Sequence, residues 1–289
     1  MKHKIWSYLF VGIVTFSSNS VFADSPVWKV EKGGQQLFIG GTIHVLSPSD
    51  YPLPSVFDAA YQQAEMVVFE TDLQQLQTPA FQAKMLSVSS LPHGKSLKDV
   101  LSQATYQDLE RFLQSRAIPI EMIIHYKAGM ATVMITMIEL QRLGLGGAGV
   151  DAFFHAKALQ DQKSLGQLET ADEQLDFLAT MGEGMEDDMI ASALQDMHGL
   201  QAEMASLKSA WMRGDNRRLQ KTLVEPLKNN FPNVYQNLMV KRNRAWMSKI
   251  EAMLQTDEVE LVLVGALHLV GDDSILAELV AKGYRVEML

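Results

Sequence analysis

The chain has 289 residues, 47% of them hydrophobic and 20% charged, with a formal net charge of −9. That composition is ordinary globular usage and enough for one large core, so it points neither to disorder nor to a coiled coil. No basic run stands beyond residue 23, which argues against a nucleic-acid surface, and the absence of cysteine excludes disulfides, zinc–thiolate sites and a cysteine nucleophile.

Residues 1–23, MKHKIWSYLFVGIVTFSSNSVFA, give a basic start at Lys2 and Lys4, an apolar stretch from Ile5 to Phe16 and a Val-Phe-Ala ending. This is the pattern of a secretory signal peptide cleaved after Ala23, and its apolar stretch is shorter than the ~20 residues that span a bilayer. The mature chain, residues 24–289, is therefore expected to be a single exported domain, not membrane-spanning, and periplasmic in a Gram-negative source.

VWKVEKGGQQLFIGG predicts a β-hairpin turning at Gly33-Gly34, whose second strand runs into Gly41 and His44. SVFDAAYQQA then has helical period, and EMVVFE is a short buried strand ending at Glu70. Near the other end VELVLV reads as a strand, GALHLVGDD as a loop holding Gly265 and His268, SILAELVAKG as a helix and YRVEML as a last strand. The order strand, Gly-x-x-His, loop, helix, strand thus occurs twice. The expected fold class is α/β (α+β): a mixed sheet from two similar units, with a large, mainly helical insertion at about 74–255.

Within that insertion, apolar spacing predicts helices over 104–115, 119–143, 150–161, 171–207 and 233–255. One strand interrupts them, KSLGQLE, followed by a capping box from Thr170 to Glu173.

His44, Glu70, Glu169 and His268 all fall at the carboxyl ends of predicted strands, where ligands bind in open α/β sheets. Two imidazoles and two carboxylates on one rim are a plausible ligand set for a divalent ion such as Mn, Co, Fe or Zn. Each glycine three residues before a histidine lets the backbone turn tightly off the strand and approach a bound group closely. Asp151 reads first as a cap of the helix DAFFHAKAL. Arg242 and Asn243 share a helix with Trp246, either as a solvated face or as donors to a developing oxyanion. His93, His125, His155 and His198 read as surface or core residues, and the methionine stripes 130/134/137 and 181/185/189 as packing.

GGTIHVL followed by VVFE, GVDAFFHAKA leading to LGQLET, RNRAW, and the closing LVLVGALHLVGDDSILAELVAKGYRV together resemble the TraB/GumN family, relatives of the TIKI metalloproteases and the pheromone-shutdown proteins. The resemblance spans nearly the whole mature chain. It implies a sheet with a helical insertion, two Gly-x-x-His motifs at a shared site, and metal-dependent peptide-bond hydrolysis as in the TIKI branch. It also implies His44 and His268 as metal ligands, Glu70 as the acidic residue after the second strand, Glu169 as the Glu of the LET motif, and Arg242 and Asn243 as the late Arg-Asn pair.

The expectation is an exported metal-dependent hydrolase, a peptidase acting on a peptide or protein. His44 and His268 would hold a divalent ion (Mn, Co or Zn), with Glu70 or Glu169 as a further ligand and the other glutamate as base, and Arg242 or Asn243 steadying the oxyanion. The alternatives are a non-catalytic peptide- or haem-binding protein using the same cleft, and a structural role in which the histidines cap strand ends.

Overall fold

Val27–Lys32 (β1) and Gln35–Thr42 (β2) form the expected hairpin, with Lys32 paired to Gln35 and both intervening glycines at positive φ, 65° for Gly33 and 101° for Gly34. Only glycine takes two such angles in succession without strain, which is why Gly-Gly sits there. The computed structural model describes residues 25–289, so the expected signal peptide at 1–23 lies outside the described residues. Among the described residues no helix is long and apolar enough to cross a membrane.

The remaining strands are Val45–Leu46 (β3), Met66–Phe69 (β4), Gly147–Ala148 (β5), Ser164–Gln167 (β6), Glu260–Gly265 (β7) and Arg285–Met288 (β8). Six of the eight make one mixed sheet in the order β6-β4-β7-β2-β1-β8, and β3 pairs with β5 in a separate ribbon. β6, β4, β7 and β2 run parallel, while β1 is antiparallel to both β2 and β8. Their apolar runs alternate between two cores. Phe38, Val67, Phe69, Leu261 and Leu263 pack on one face with Phe57 and Tyr61 of the helix Ser55–Gln63. Leu37, Ile39, Val68, Val262 and Val264 pack on the other with Ile275 and Leu279 of the helix Ile275–Ala281.

That alternation positions the site. Each Gly-x-x-His strand leads into a helix and on to a further parallel strand, β2 to β4 and β7 to β8, as the internal repeat predicts. The two connecting helices nevertheless cover opposite faces of the sheet. β2 and β7 are neighbours, paired as far as Thr42 and Gly265, and the chain leaves them toward opposite faces, a topological switch point of the kind where open α/β sheets leave a crevice.

The insertion leaves the sheet and returns to it. Its strand β6 adds to the edge beside β4, and the helices Val150–Gln160 and Arg242–Met253 pack on opposite faces through Phe154 and Ile250. Residues between 97 and 142 and between 186 and 200 form a helical layer with its own core, including Leu109, Leu113, Ile135 and Ile190.

Three predicted helices differ in extent. The 119–143 helix begins only at Ala128, because the preceding segment gives main-chain groups to the neighbouring loop, Leu97 N donating to Ile124 O and Lys127 N to Ser89 O. The 171–207 helix is three, Ala171–Thr180, Glu186–Asp196 and Leu200–Met212, broken where Gly182 and Gly184 both stand at φ 77° and again at Gly199. The 233–255 helix contains a π-helical stretch, Gln236–Lys241, directly before Arg242. The helix Pro79–Ser89, capped by Thr78, was not expected from periodicity.

Candidate functional site

Glu70 follows β4 and Glu169 follows β6, and parallel pairing continues past the strands through Glu169 N donating to Glu70 O at 2.8 Å. The two carboxylates are thereby set side by side, 7% and 5% exposed. Burying two like charges is unfavourable without a cation. Arg242 supplies it: Nη2 donates to Glu70 Oε2 at 2.7 Å and to Glu169 Oε1 at 2.6 Å, and Nε donates to Glu169 Oε2 at 3.0 Å. Trp246, one turn further on, donates its indole N–H to the same Glu169 oxygen at 3.1 Å, and its ring lies under the guanidinium. Both Glu169 oxygens are therefore occupied.

Glu70 Oε1 accepts the Gly265 N–H at 2.7 Å. Burial works against this carboxylate, yet its neighbours His268, Arg242 and His44 and that N–H outweigh burial and hold it well below the usual carboxylate range.

His268 sits in a short 3₁₀ turn, Ala266–Leu269, and is 4% exposed. Asn243 Nδ2 donates to the Asp273 carbonyl at 2.8 Å, so Asn243 Oδ1 is the atom that faces His268 Nδ1 at 2.6 Å. The network assigns the proton to Nδ1 and leaves the Nε2 lone pair to accept from Arg242 Nη1 at 3.2 Å. Burial pushes this imidazole down to about 3, so it is neutral at physiological pH.

His44 is held differently. Its Nδ1 lies 2.8 Å from Asp151 Oδ2, while the side chain is 66% exposed. The Asp151 charge raises its pKa to about 9. Asp151 reaches it because Gly149 lets the start of the helix Val150–Gln160 abut the main chain of Ile43 and His44, where a Cβ would overlap the Ile43 carbonyl. Asp151 thus bonds a histidine instead of capping its helix, whose N-cap is Gly149. The sequence signal for this was the glycine-rich approach to Asp151, which says that something packs closely but not what.

The predicted residues converge on Gly265. A Cβ there would stand 3.2 Å from Glu70 Oε1, 3.6 Å from His44 Nε2 and 3.7 Å from His268 Cδ2. Neither Gly41 nor Gly265 has a positive φ, so both serve close approach, Gly265 to these side chains and Gly41 to Ala266 and Leu269. The donor set of two imidazole Nε2 atoms and a carboxylate suits a divalent transition ion, and each histidine has its Nδ1 tied to an oxygen, the arrangement that orients metal-ligating histidines. As the side chains stand, among the described residues no three His, Asp or Glu groups close to metal-holding distance, and the cation facing Glu70, Glu169 and His268 is Arg242. Glu70, Glu169, Arg242, Asn243 and His268 thus form one bonded cluster, with His44 and Asp151 on its open side. Trp246 joins it through Glu169.

A cleft of about 320 Å³ opens beside His44, Glu70, Asp151 and Arg242. Among the other histidines, His155 packs edge-on against Phe69, and His125 and His198 bond main-chain carbonyls. Of the methionine stripes, Met130 and Met189 are buried, as packing predicts, whereas Met137 is exposed.

The model of the TraB/PrgY/gumN family matches residues 26–288. The chain is 26% identical over 247 residues to uncharacterized protein YbaP of Escherichia coli (strain K12), covering 84% of this chain and 87% of that protein. The identity and coverage are the same against uncharacterized protein YbaP of Shigella flexneri. No solved structure matches the chain.

Proposed function

The chain belongs to the TraB/PrgY/gumN family, and from that premise we propose that it is an exported metal-dependent hydrolase that cleaves a peptide or protein. One observation carries this reading: two histidines at adjacent strand ends each have Nδ1 tied to an oxygen, and both rings meet Glu70 at the hollow of Gly265. Export rests on the pattern of residues 1–23.

His44, His268 and Glu70 would hold the ion, Mn, Co or Zn. Such an ion polarises the scissile carbonyl and lowers the pKa of water. Arg242, fixed by Glu169, would turn the Nη1 donor that now bonds His268 Nε2 to charge that grows on the carbonyl oxygen. Glu169, with both oxygens bonded, is a positioning residue and not the base. Asp151 and Asn243 each hold one imidazole by Nδ1 and so orient the ring; to take an ion, His44 would give up its Nε2 proton and His268 Nε2 its bond to Arg242 Nη1.

The test is elemental analysis of the untagged protein against a His44→Ala/His268→Ala variant, with a peptide-cleavage assay on both. One ion per chain, lost with the histidines along with cleavage, is the expected result. An equal metal content in the two proteins would overturn it, and peptides bound but recovered intact would turn the reading to a binding protein.

A further inference from the structure

We propose that the cleft beside His44, Glu70 and Arg242 is a specificity pocket that takes one apolar side chain of the substrate, adjacent to the carbonyl under attack. The proposal rests on the hydrolase reading for the identity of that carbonyl, but the pocket itself is argued from its walls.

Its polar groups gather at one end, where His44, Asp151, Glu70 and Arg242 stand. The other walls are Phe69, Leu73, Leu76, Phe177, Leu178 and Leu238, relieved only by Thr71 and Gln174. Three separate segments bring these side chains together. Leu73 and Leu76 lie in the helix Leu73–Leu76, which starts three residues after Glu70; Phe177 and Leu178 are on Ala171–Thr180; and Leu238 is in the π-helical stretch before Arg242. All but Phe69 are half-buried: Leu73 and Leu238 pack against the main core and Leu76 against the small cluster around Phe81, and each keeps part of its apolar surface for the cleft. Apolar surface left open in a concave site beside convergent polar groups is the ordinary form of a ligand pocket.

At about 320 Å³ the cleft lies near the lower bound of about 300 Å³ for ligand pockets, which suits one large side chain and not a whole oligopeptide. Across Phe177 and Arg242 the adjoining groove is of mixed character, with Glu173, Asp176, Lys241 and Lys249 beside Leu168, Ala245 and Trp246. A peptide whose carbonyl meets Arg242 would bury Leu or Phe against the apolar walls with a gain, whereas Asp or Lys set against those walls, away from the charged end, would be desolvated.

The experiment uses the mature chain and blocked peptides acetyl-Gly-X-Gly-amide with X as Leu, Phe, Gly, Asp or Lys, measured for cleavage and, separately, for binding by ligand-observed NMR. Leu and Phe peptides are expected to exceed the Gly peptide about 10- to 100-fold in kcat/KM, with Asp and Lys peptides below it. Leu238→Gln and, at the cleft's rim, Leu73→Gln should each collapse the Leu-to-Gly ratio of kcat/KM. Cleavage indifferent to X would overturn the pocket and leave hydrolysis standing. If no peptide is cleaved, the hydrolase reading fails and binding decides the pocket: preferential binding of Leu and Phe, lost in both variants, upholds it, and equal or absent binding overturns it.

Discussion

Asn243 Oδ1 lies 2.6 Å from His268 Nδ1, and the Asp273 carbonyl, bonded to the other end of the same amide, prevents that amide from turning over. A buried asparagine therefore decides which nitrogen of His268 is free. Asn243→Ala should leave the Nδ1–H and the Asp273 carbonyl without partners, lowering stability by about 2–4 kcal/mol, since each buried unsatisfied group costs ~1–3 kcal/mol. It should also weaken divalent-ion binding about 10- to 100-fold, the usual effect of losing a histidine's outer partner. Denaturant titration and metal titration check the two effects separately; an unchanged ion affinity would show that the tautomer does not depend on Asn243.

Arg242 is the only guanidinium bonded to Glu70 and Glu169 among the described residues. Arg242→Leu leaves two adjacent buried carboxylates uncompensated, and breaking a buried pair this way costs about 3–5 kcal/mol. The sign of its pH dependence is diagnostic. Without the guanidinium one carboxyl's folded pKa rises above its unfolded value, so the folded variant holds a proton that the unfolded chain has released. The variant's stability should then fall as pH rises from 5 to 8, and adding Glu169→Gln should recover much of the loss at pH 8. A variant whose deficit is the same at both pH values would mean that the carboxylates find another cation.

Glu260 opens β7 at the end of the sheet away from the site, 3% exposed, with Oε2 lacking any hydrogen-bond partner among the described residues. Burial, with Glu258 nearby, raises its pKa from 4.5 to about 7. Because the folded value is the higher one, its carboxyl favours folding fully below pH 4.5 and progressively less as pH rises to about 7. Glu260→Gln should therefore stabilise the protein by roughly 1–3 kcal/mol at pH 8, since a tenfold change in proton affinity is worth about 1.4 kcal/mol, and by almost nothing at pH 4. Thermal denaturation at the two pH values measures it, and equal gains at both would point to packing instead of ionisation.

The strand ends were legible in the sequence because apolar runs, Gly-x-x-His and short acidic endings are local patterns. β2, β4, β6 and β7 form as expected, and His44, Glu70, Glu169 and His268 come to one rim. What was not legible depends on contacts distant in sequence. Asp151 lies 107 residues from His44, and its carboxylate suits a helix start equally well until Gly149 is seen against the His44 main chain. Arg242 reads as a solvated helical residue until two carboxylates 172 and 73 residues away are found against it. Glu169 could be ligand, base or bystander from spacing alone, and only its double engagement by Arg242 and Trp246 makes it a positioning group.

Gly265 offers the sharpest separation of site from fold. Its φ of −51° is one that alanine adopts freely, so Gly265→Ala carries no backbone strain. The new Cβ would meet Glu70 Oε1 at 3.2 Å, tighter than ordinary contact, and would stand 3.6 Å from His44 Nε2, in the hollow where the two motifs meet. The fold should tolerate a shift of a few tenths of an ångström, so the expected stability change is within about 1 kcal/mol. Ion binding and any cleavage should fall by tenfold or more, because a displacement of this size at a reacting centre is costly. The contrasting variant is Gly149→Ala, whose Cβ overlaps rigid main chain at Ile43 and should destabilise the strand-to-helix junction itself. If Gly265→Ala binds metal and turns over peptide as the native chain does, the hollow above Gly265 is not where the chemistry occurs.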